Sequence, residues 1–138
     1  MTDYKWQVAE LLVRIFAGIL FFFQGYDKLF KIRMPGVIDA FAADAERNRI
    51  PHALLSVVAY VTSIAEFVGG LLLVLGLCTT FALYALGIDL LVVCLAFTYM
   101  KPIWDMKFVF PRFALVIFLL LMPDNYRYFG IDQLINLK

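Results

Sequence analysis

Residues 53–77 read ALLSVVAYVTSIAEFVGGLLLVLGL, an apolar stretch in which Glu66 is the single charged residue. About 20 apolar residues are enough for a helix to cross the hydrocarbon core of a bilayer, and this stretch is longer. Pro51 lies just ahead of it, in a region where proline often begins a helix. The stretch therefore predicts a membrane-spanning helix that carries a carboxylate inside the bilayer.

Three further apolar segments have the same character, and each has one formal charge near its middle. They cover residues 8–30 with Arg14, 80–100 with Asp89 and 105–122 with Arg112. The last is the weakest, because its helix reaches membrane length only if it begins near Asp105 and contains Pro111. The chain is 64% hydrophobic, well above the roughly 45–50% of an average soluble domain. The sequence predicts an all-α integral membrane four-helix bundle, a single domain over residues 1–138.

The connections between these segments differ in length. Residues 78–80 join the second and third segments in a tight hairpin, whereas residues 31–52 separate the first from the second. Within that longer loop, the alanine-rich stretch 37–46 predicts a short amphipathic helix on the membrane surface or across the end of the bundle.

Lysine and arginine near the spans predict the orientation, because cytoplasmic loops carry an excess of them. The side with the long loops has seven and the side with the termini has three: Lys28, Lys31, Arg33, Arg47, Arg49, Lys101 and Lys107 against Lys5, Arg127 and Lys138. The long loops are therefore predicted in the cytoplasm and both termini outside.

The intramembrane charges are the main candidates for function. A charge at the bilayer centre costs roughly 2.5–3.5 kcal/mol on insertion scales, so such residues face the bundle interior and pair. With a rise of about 1.5 Å per residue, all four charges are predicted in one slab, about 9–17 Å from the side of the termini. Small residues beside them would let the helices approach closely; they are Gly18, Gly25, Gly69 and Gly70.

Two interpretations of this charge layer remain open. Two arginine–carboxylate pairs could fix the register of the helices and do nothing else. Alternatively, the layer is a site for a ligand or a proton. Gln24 and Lys28, at the cytoplasmic end of the first segment, join the candidate binding residues, although Lys28 could also extend its ammonium group towards the membrane surface.

The residue inventory argues against several other classes. His52 is the single histidine, and the two cysteines form no Cys-x-x-Cys motif, so no metal site, haem or other redox cofactor held by side chains is expected. A net charge of +1 gives no reason to expect a nucleic acid as a partner.

Several motifs resemble those of the DoxX family of small bacterial membrane proteins. RIFAG at 14–18 and QGYDKLF at 24–30 resemble its first-helix signature. AEFVGGLLLVLGL at 65–77 is similar to its second-helix signature and is the most specific of these motifs, and YFGIDQLI at 128–135 resembles its C-terminal pattern.

The resemblance implies a four-helix bundle in the bacterial inner membrane with links to quinone-coupled respiration. The first hypothesis is a quinone-interacting subunit without a fixed cofactor, in which Glu66 and Asp89 exchange protons. Arg14 and Arg112 would bind the quinone head, and a partner redox protein would supply electrons.

Other classes of function also fit the sequence. The second hypothesis is a non-catalytic assembly factor or scaffold whose buried charges fix helix packing. A third is a small transporter for an anion or a lipid. A homo-oligomer is compatible with all three, since the bundle is small.

Overall fold

The structure is a computed structural model that describes residues 2–100 and 107–135. Its described residues form helices joined by short turns, with no strand among them, so the predicted all-α class is confirmed. The helices are α1 (Thr2–Tyr26), α2 (Arg33–Arg47), α3 (His52–Leu75), α4 (Thr79–Met100), α5 (Val109–Leu121) and α6 (Ile131–Leu134). A π-helical turn over Asp27–Lys31 extends α1, and a 3₁₀ turn covers Asp124–Tyr126.

Among the described residues, three helices are long and apolar enough to cross a membrane: α1 with its π turn, α3 and α4. They correspond to the predicted segments 8–30, 53–77 and 80–100. In the described part of the fourth predicted segment, α5 has 13 residues and spans about 20 Å. The predicted start of that segment at Asp105, and two of the counted charges, Lys101 and Lys138, lie outside the described residues.

Helices α1, α3, α4 and α5 pack side by side, each against its neighbour in that order, and α5 closes back on α1. Their shared core consists of apolar side chains such as Phe21, Leu73, Leu86 and Leu119, none of which is exposed. Large apolar side chains also cover the outer surface, for example Leu95 at 70% exposure. A surface of this kind suits contact with lipid, in agreement with the length of the helices.

The antiparallel pair α1 and α3 is held at close range by glycines. A Cβ on Gly18 would lie 2.8 Å from Val74 Cγ2, and one on Gly25 would overlap the backbone of Phe67. On the facing helix, a Cβ on Gly70 would overlap the backbone of Phe22. Small residues at such positions let helices in membranes approach closely, and here they fix which residues of α1 and α3 lie opposite each other.

The long loop after α1 contains α2, which begins four residues earlier than the predicted stretch 37–46. Its buried side presents Met34, Val37 and Ile38, which pack with Leu55 and Ala59 of α3. Helix α2 therefore covers one end of the bundle on the side of α3. Its contact with a membrane surface stays a prediction.

The turn between α3 and α4 is tied to the C-terminal segment. Gly76 has a φ of 63°, a left-handed conformation that suits glycine, and a Cβ there would lie 2.7 Å from Gly130 Cα. The Asp132 carboxylate accepts hydrogen bonds from the backbone N–H groups of Cys78 (2.6 Å) and Thr79 (2.9 Å). The side chain thus caps the N-terminus of α4 from a distant part of the chain.

Candidate functional site

Arg14 belongs to a buried cluster at the end of the bundle where the C-terminal segment docks. Its Nε lies 2.9 Å from Glu10 Oε1, one helical turn earlier. Its Nη1 donates to the carbonyl oxygen of Leu73 and its Nη2 to that of Phe129, each at 2.8 Å. Both ionic side chains are buried. Arg14 therefore joins three parts of the chain: α1, the end of α3 and the segment before α6. We call Glu10 and Arg14, with the two carbonyl groups, the tail clamp.

The expectation of one layer of four charges is wrong for Arg14. The contact between Gly25 and Phe67 places Glu66 opposite the last residues of α1. Gln24, which bonds Glu66, lies ten residues after Arg14, or about 15 Å along the helix. The predicted depth assumed that residue 8 lies level with Leu77, whereas Arg14 itself bonds the carbonyl oxygen of Leu73, only four residues before Leu77.

Glu10 is a buried partner of Arg14 that the sequence analysis did not identify. Its side chain is fully buried and one of its oxygens, Oε2, has no hydrogen-bond partner among the described residues. The spacing of four residues to Arg14 is the signal that could have found it, since side chains at i and i+4 meet on one face of a helix.

Glu66 lies in a second buried cluster, towards the other end of the bundle. Its Oε2 is 2.7 Å from Lys28 Nζ, and its Oε1 accepts a hydrogen bond of 3.0 Å from Gln24 Nε2. The Glu66 side chain is 1% exposed, whereas that of Lys28 is 22% exposed. The structure thus brings together three of the predicted residues, and Lys28 occupies the role predicted for an arginine. We call Gln24, Lys28 and Glu66 the polar triad.

The local shape of the chain positions Lys28. It lies in the π turn Asp27–Lys31, where each backbone bond spans one residue more than in an α-helix. Such turns are rare and frequently occur at functional sites. At the same place the close packing at Gly25 brings α1 onto α3. Both features allow the ammonium group to reach inward to Glu66 rather than outward.

Asp89 and Arg112 share the level of the polar triad. Gly69 packs against Leu86, which places Glu66 opposite Asp89 in the antiparallel pair α3–α4. Gly87 packs against Val116, so Arg112 lies near the same level, and it interacts electrostatically with Glu66.

Among the described residues, neither Arg112 nor Asp89 forms an ion pair. The arginine–carboxylate pairs expected for these two residues are therefore not found there. Asp89 is 5% exposed, and both of its carboxylate oxygens are buried with no hydrogen-bond partner in the described part of the chain. An unpaired buried polar group is costly. Helix packing alone therefore does not explain why a carboxyl group is buried at position 89.

A cavity of about 140 Å³ opens beside the polar triad. Gln24 and Lys28 form its polar wall, and Thr62 and Ser63 of α3 lie next to them. Apolar residues of α2 and α4 complete the enclosure, with Phe41 and Phe97 in edge-to-face contact at 5.7 Å between ring centroids. The cavity joins a buried ion pair to apolar and aromatic walls, as small-molecule sites in proteins do.

The described residues contain no group of three histidine, cysteine, aspartate or glutamate side chains that could hold a metal ion. The polar groups at the cavity are hydrogen-bond donors and acceptors. They suit a neutral or weakly polar ring whose oxygen atoms accept hydrogen bonds, with proton transfer to or from nearby carboxyl groups.

Three long apolar helices, with one buried ion pair inside α1 and another between α1 and α3, define a small helical membrane protein. The sequence model of the DoxX family matches residues 9–99, about two thirds of the chain, and the protein belongs to the DoxX family. The match includes Arg14, Glu66 and Asp89, whereas Arg112 and the docked C-terminal segment lie beyond it. No curated protein and no solved structure matches the chain.

Proposed function

We propose that this DoxX protein is a quinone-interacting subunit of a membrane redox complex, with the quinone head in the cavity beside the polar triad. The observation that carries the proposal is a buried Lys28–Glu66 ion pair whose lysine also lines an apolar cavity. Quinones need hydrogen-bond donors at their carbonyl oxygens and a proton source when they are reduced. Lys28 and Gln24 supply donors at the cavity wall, and Glu66, which bonds both of them, would be the proton source behind that wall.

The size of the cavity supports a single ring as the occupant. A cavity of about 150 Å³ is known to accommodate benzene, and the cavity here is of similar volume, at about 140 Å³. The flat side chains of Phe41 and Phe97 contribute to its walls, and aromatic rings pack well against one another.

Each residue of the proposed quinone site would have its own role. Lys28 has two N–H groups beyond the one that bonds Glu66 and would donate to a carbonyl oxygen of the ring. Gln24 would orient Glu66, which would exchange the proton. Asp89 would be a second proton-exchanging group at the same level, and Arg112 would balance the charge of Glu66. Arg14 is not part of this proposal, because its guanidinium group is engaged in the tail clamp.

A partner protein would supply the electrons. We further propose a bacterial inner-membrane location with α5 as a fourth, short span. The long loops would lie in the cytoplasm and both termini outside, in the orientation that the lysine and arginine counts favour.

The first test is the quinone content of the purified protein. The wild type is purified in mild detergent, and co-purifying quinones are quantified by mass spectrometry. Stoichiometric quinone is expected in the wild type and a loss of at least tenfold in Glu66→Gln and Lys28→Gln. Lys31→Gln is the matched control, because Lys31 lies in the same π turn but is 66% exposed and pairs with Asp27. An equal, low quinone content in all four proteins would refute the proposal.

The orientation has a separate test that uses a native thiol. Cys78 is exposed at the turn between α3 and α4, on the side of the termini. A membrane-impermeant maleimide added to intact cells should label it, and Cys78→Ser should abolish the labelling. Arg49→Cys in a Cys78→Ser background, at the opposite end of α3, should stay unlabelled until the cells are opened. The reverse pattern would invert the orientation.

One observation favours the scaffold as a second candidate function. In the tail clamp each guanidinium nitrogen of Arg14 bonds the protein itself, which supports a role of buried charges in joining segments. If the polar triad has the same role, Glu66→Gln should destabilise the protein and change nothing in the quinone content. A compensating change of Lys28 to an apolar residue should then restore stability.

A further inference from the structure

Helices α3 and α4 leave a long apolar groove between them on the outer surface of the bundle. Two adjoining cavities form it, of about 280 and 360 Å³. They share Val61, Ala65 and Ala85 in their walls, so they are one continuous depression. The groove runs along α3 from Val57 to Leu72, a length of about 22 Å.

The groove meets the cavity beside the polar triad. Val58 and Thr62 line both the triad cavity and the nearer half of the groove. Asp89, whose buried carboxyl group has no hydrogen-bond partner within residues 2–100 and 107–135, is in the wall of that same half. The groove and the cavity therefore adjoin at the level of the polar triad and Asp89.

We propose that the ligand of this site is a molecule with one ring and a long apolar tail, with the ring in the triad cavity and the tail along the α3–α4 groove. The inference rests on the proposed function and specifies it further, because it assigns the substrate class as lipid-soluble quinones with a chain of several isoprenoid or alkyl units. The ligand enters sideways from the bilayer.

Three features select the tail over other occupants. The triad cavity, at about 140 Å³, is filled by a ring alone, so a larger molecule must extend out of it. Apart from Thr62 and Asp89, the nearer half of the groove is lined by apolar side chains, which suit a hydrocarbon chain. Because Val58 and Thr62 line both spaces, a tail that leaves the triad cavity on the lipid side enters the groove.

The expected contribution of the tail is moderate. In a bilayer the tail leaves lipid rather than water, so burial in the groove brings no hydrophobic gain and only closer packing. We expect the tailed ligand to bind about three- to tenfold more tightly than the ring alone, with both concentrations expressed per mole of lipid to remove the effect of partitioning.

The experiment compares two ligands on three proteins in lipid nanodiscs. The ligands are a benzoquinone with a ten-carbon chain and the same benzoquinone with a methyl group in its place. The proteins are the wild type, Ala85→Phe and Ala114→Phe. The Ala85→Phe side chain would fill the groove at the point where its two halves meet. Ala114 is exposed on α5 and lies in neither half of the groove, so Ala114→Phe is the matched control.

The expected result is that Ala85→Phe removes the advantage of the tail and leaves the affinity for the ring unchanged, whereas Ala114→Phe keeps both. If the wild type binds the ring but gains nothing from the tail, ordinary lipid covers the groove and the inference is overturned. If Ala85→Phe instead changes the oligomeric state and keeps the advantage of the tail, a second copy covers the groove, and the inference is overturned again. If neither ligand binds the wild type, the proposed function itself fails.

Discussion

The tail clamp and the polar triad are built from the same kinds of residue, but they differ in what they leave unused. In the tail clamp, Arg14 is 1% exposed and all three of its guanidinium nitrogens contact the protein. In the triad, Lys28 is partly exposed, lines a cavity and retains donors beyond the one that Glu66 accepts. Arg14 also lines a cavity, of about 400 Å³, beside the C-terminal segment, so the two clusters differ in the exposure and the bonding of the cation and not in access to a cavity alone.

The largest effect is expected from breaking the tail clamp. Arg14→Met removes the partner of a fully buried carboxylate and the side-chain donor to the carbonyl group of Phe129. The carbonyl group of Leu73 loses one of its two donors and keeps the N–H of Gly76. Removal of one member of a buried pair typically costs about 3–5 kcal/mol. SDS titration in mixed micelles measures the free energy of unfolding.

The control for this prediction is the double variant Glu10→Gln with Arg14→Met. It should recover part of the loss, because the unpaired buried charge is gone. A loss below about 1 kcal/mol in Arg14→Met would mean that the clamp does not hold the segments together.

The next effect tests how the triad is assembled. Gly25→Ala places a Cβ against the backbone of Phe67, which must push α1 and α3 apart next to Gln24. Overpacking of this kind costs about 1–3 kcal/mol, and the separation should also lower the quinone content. Gly87→Ala is the control, since its Cβ would meet Val116 Cγ1 at an ordinary 3.6 Å. Equal stability of the two variants would show that the close approach of α1 and α3 is not required.

A smaller effect on stability is expected at the triad itself. Glu66→Gln keeps the shape of the side chain and removes its charge, at a cost of about 1.5 kcal/mol for hydrogen bonds to a charged group. Lys28 is 22% exposed and can regain water, so the loss should stay below that of Arg14→Met. A loss of stability as large as that of Arg14→Met would erase the difference between the two clusters, and the triad would then be structural.

The smallest effect concerns the cap at the docked C-terminal segment. Asp132→Asn weakens the bonds to the N–H groups of Cys78 and Thr79, and loss of a helix cap costs about 1 kcal/mol. Asp124→Asn is the control, because Asp124 is 87% exposed in its pair with Arg127 and exposed pairs contribute little. The difference is measured by the thermal midpoint in detergent. Equal midpoints would show that the cap contributes nothing.

Part of the candidate site could be predicted from the sequence. Glu66 and Asp89 stand out as charges in apolar segments, and their shared level follows from the tight hairpin between α3 and α4, which fixes the register of its two helices. Lys28 was identified as a candidate, but its pairing with Glu66 was not. The pairing depends on the π turn and on the close approach at Gly25, and neither leaves a clear trace in hydrophobic periodicity.

The sequence by itself determined the class of this protein, the positions of its three long helices and the residues that are costly to bury. All three depend on the composition and the length of individual segments, and each segment can be judged without knowing how it packs against the others. The tertiary structure decided which charges meet: Arg14 with Glu10 at the tail clamp, and Lys28 with Glu66 beside the cavity. The physical reason is that pairing depends on the relative shift of helices. Contacts between glycines and facing backbones, far apart in the chain, fix that shift.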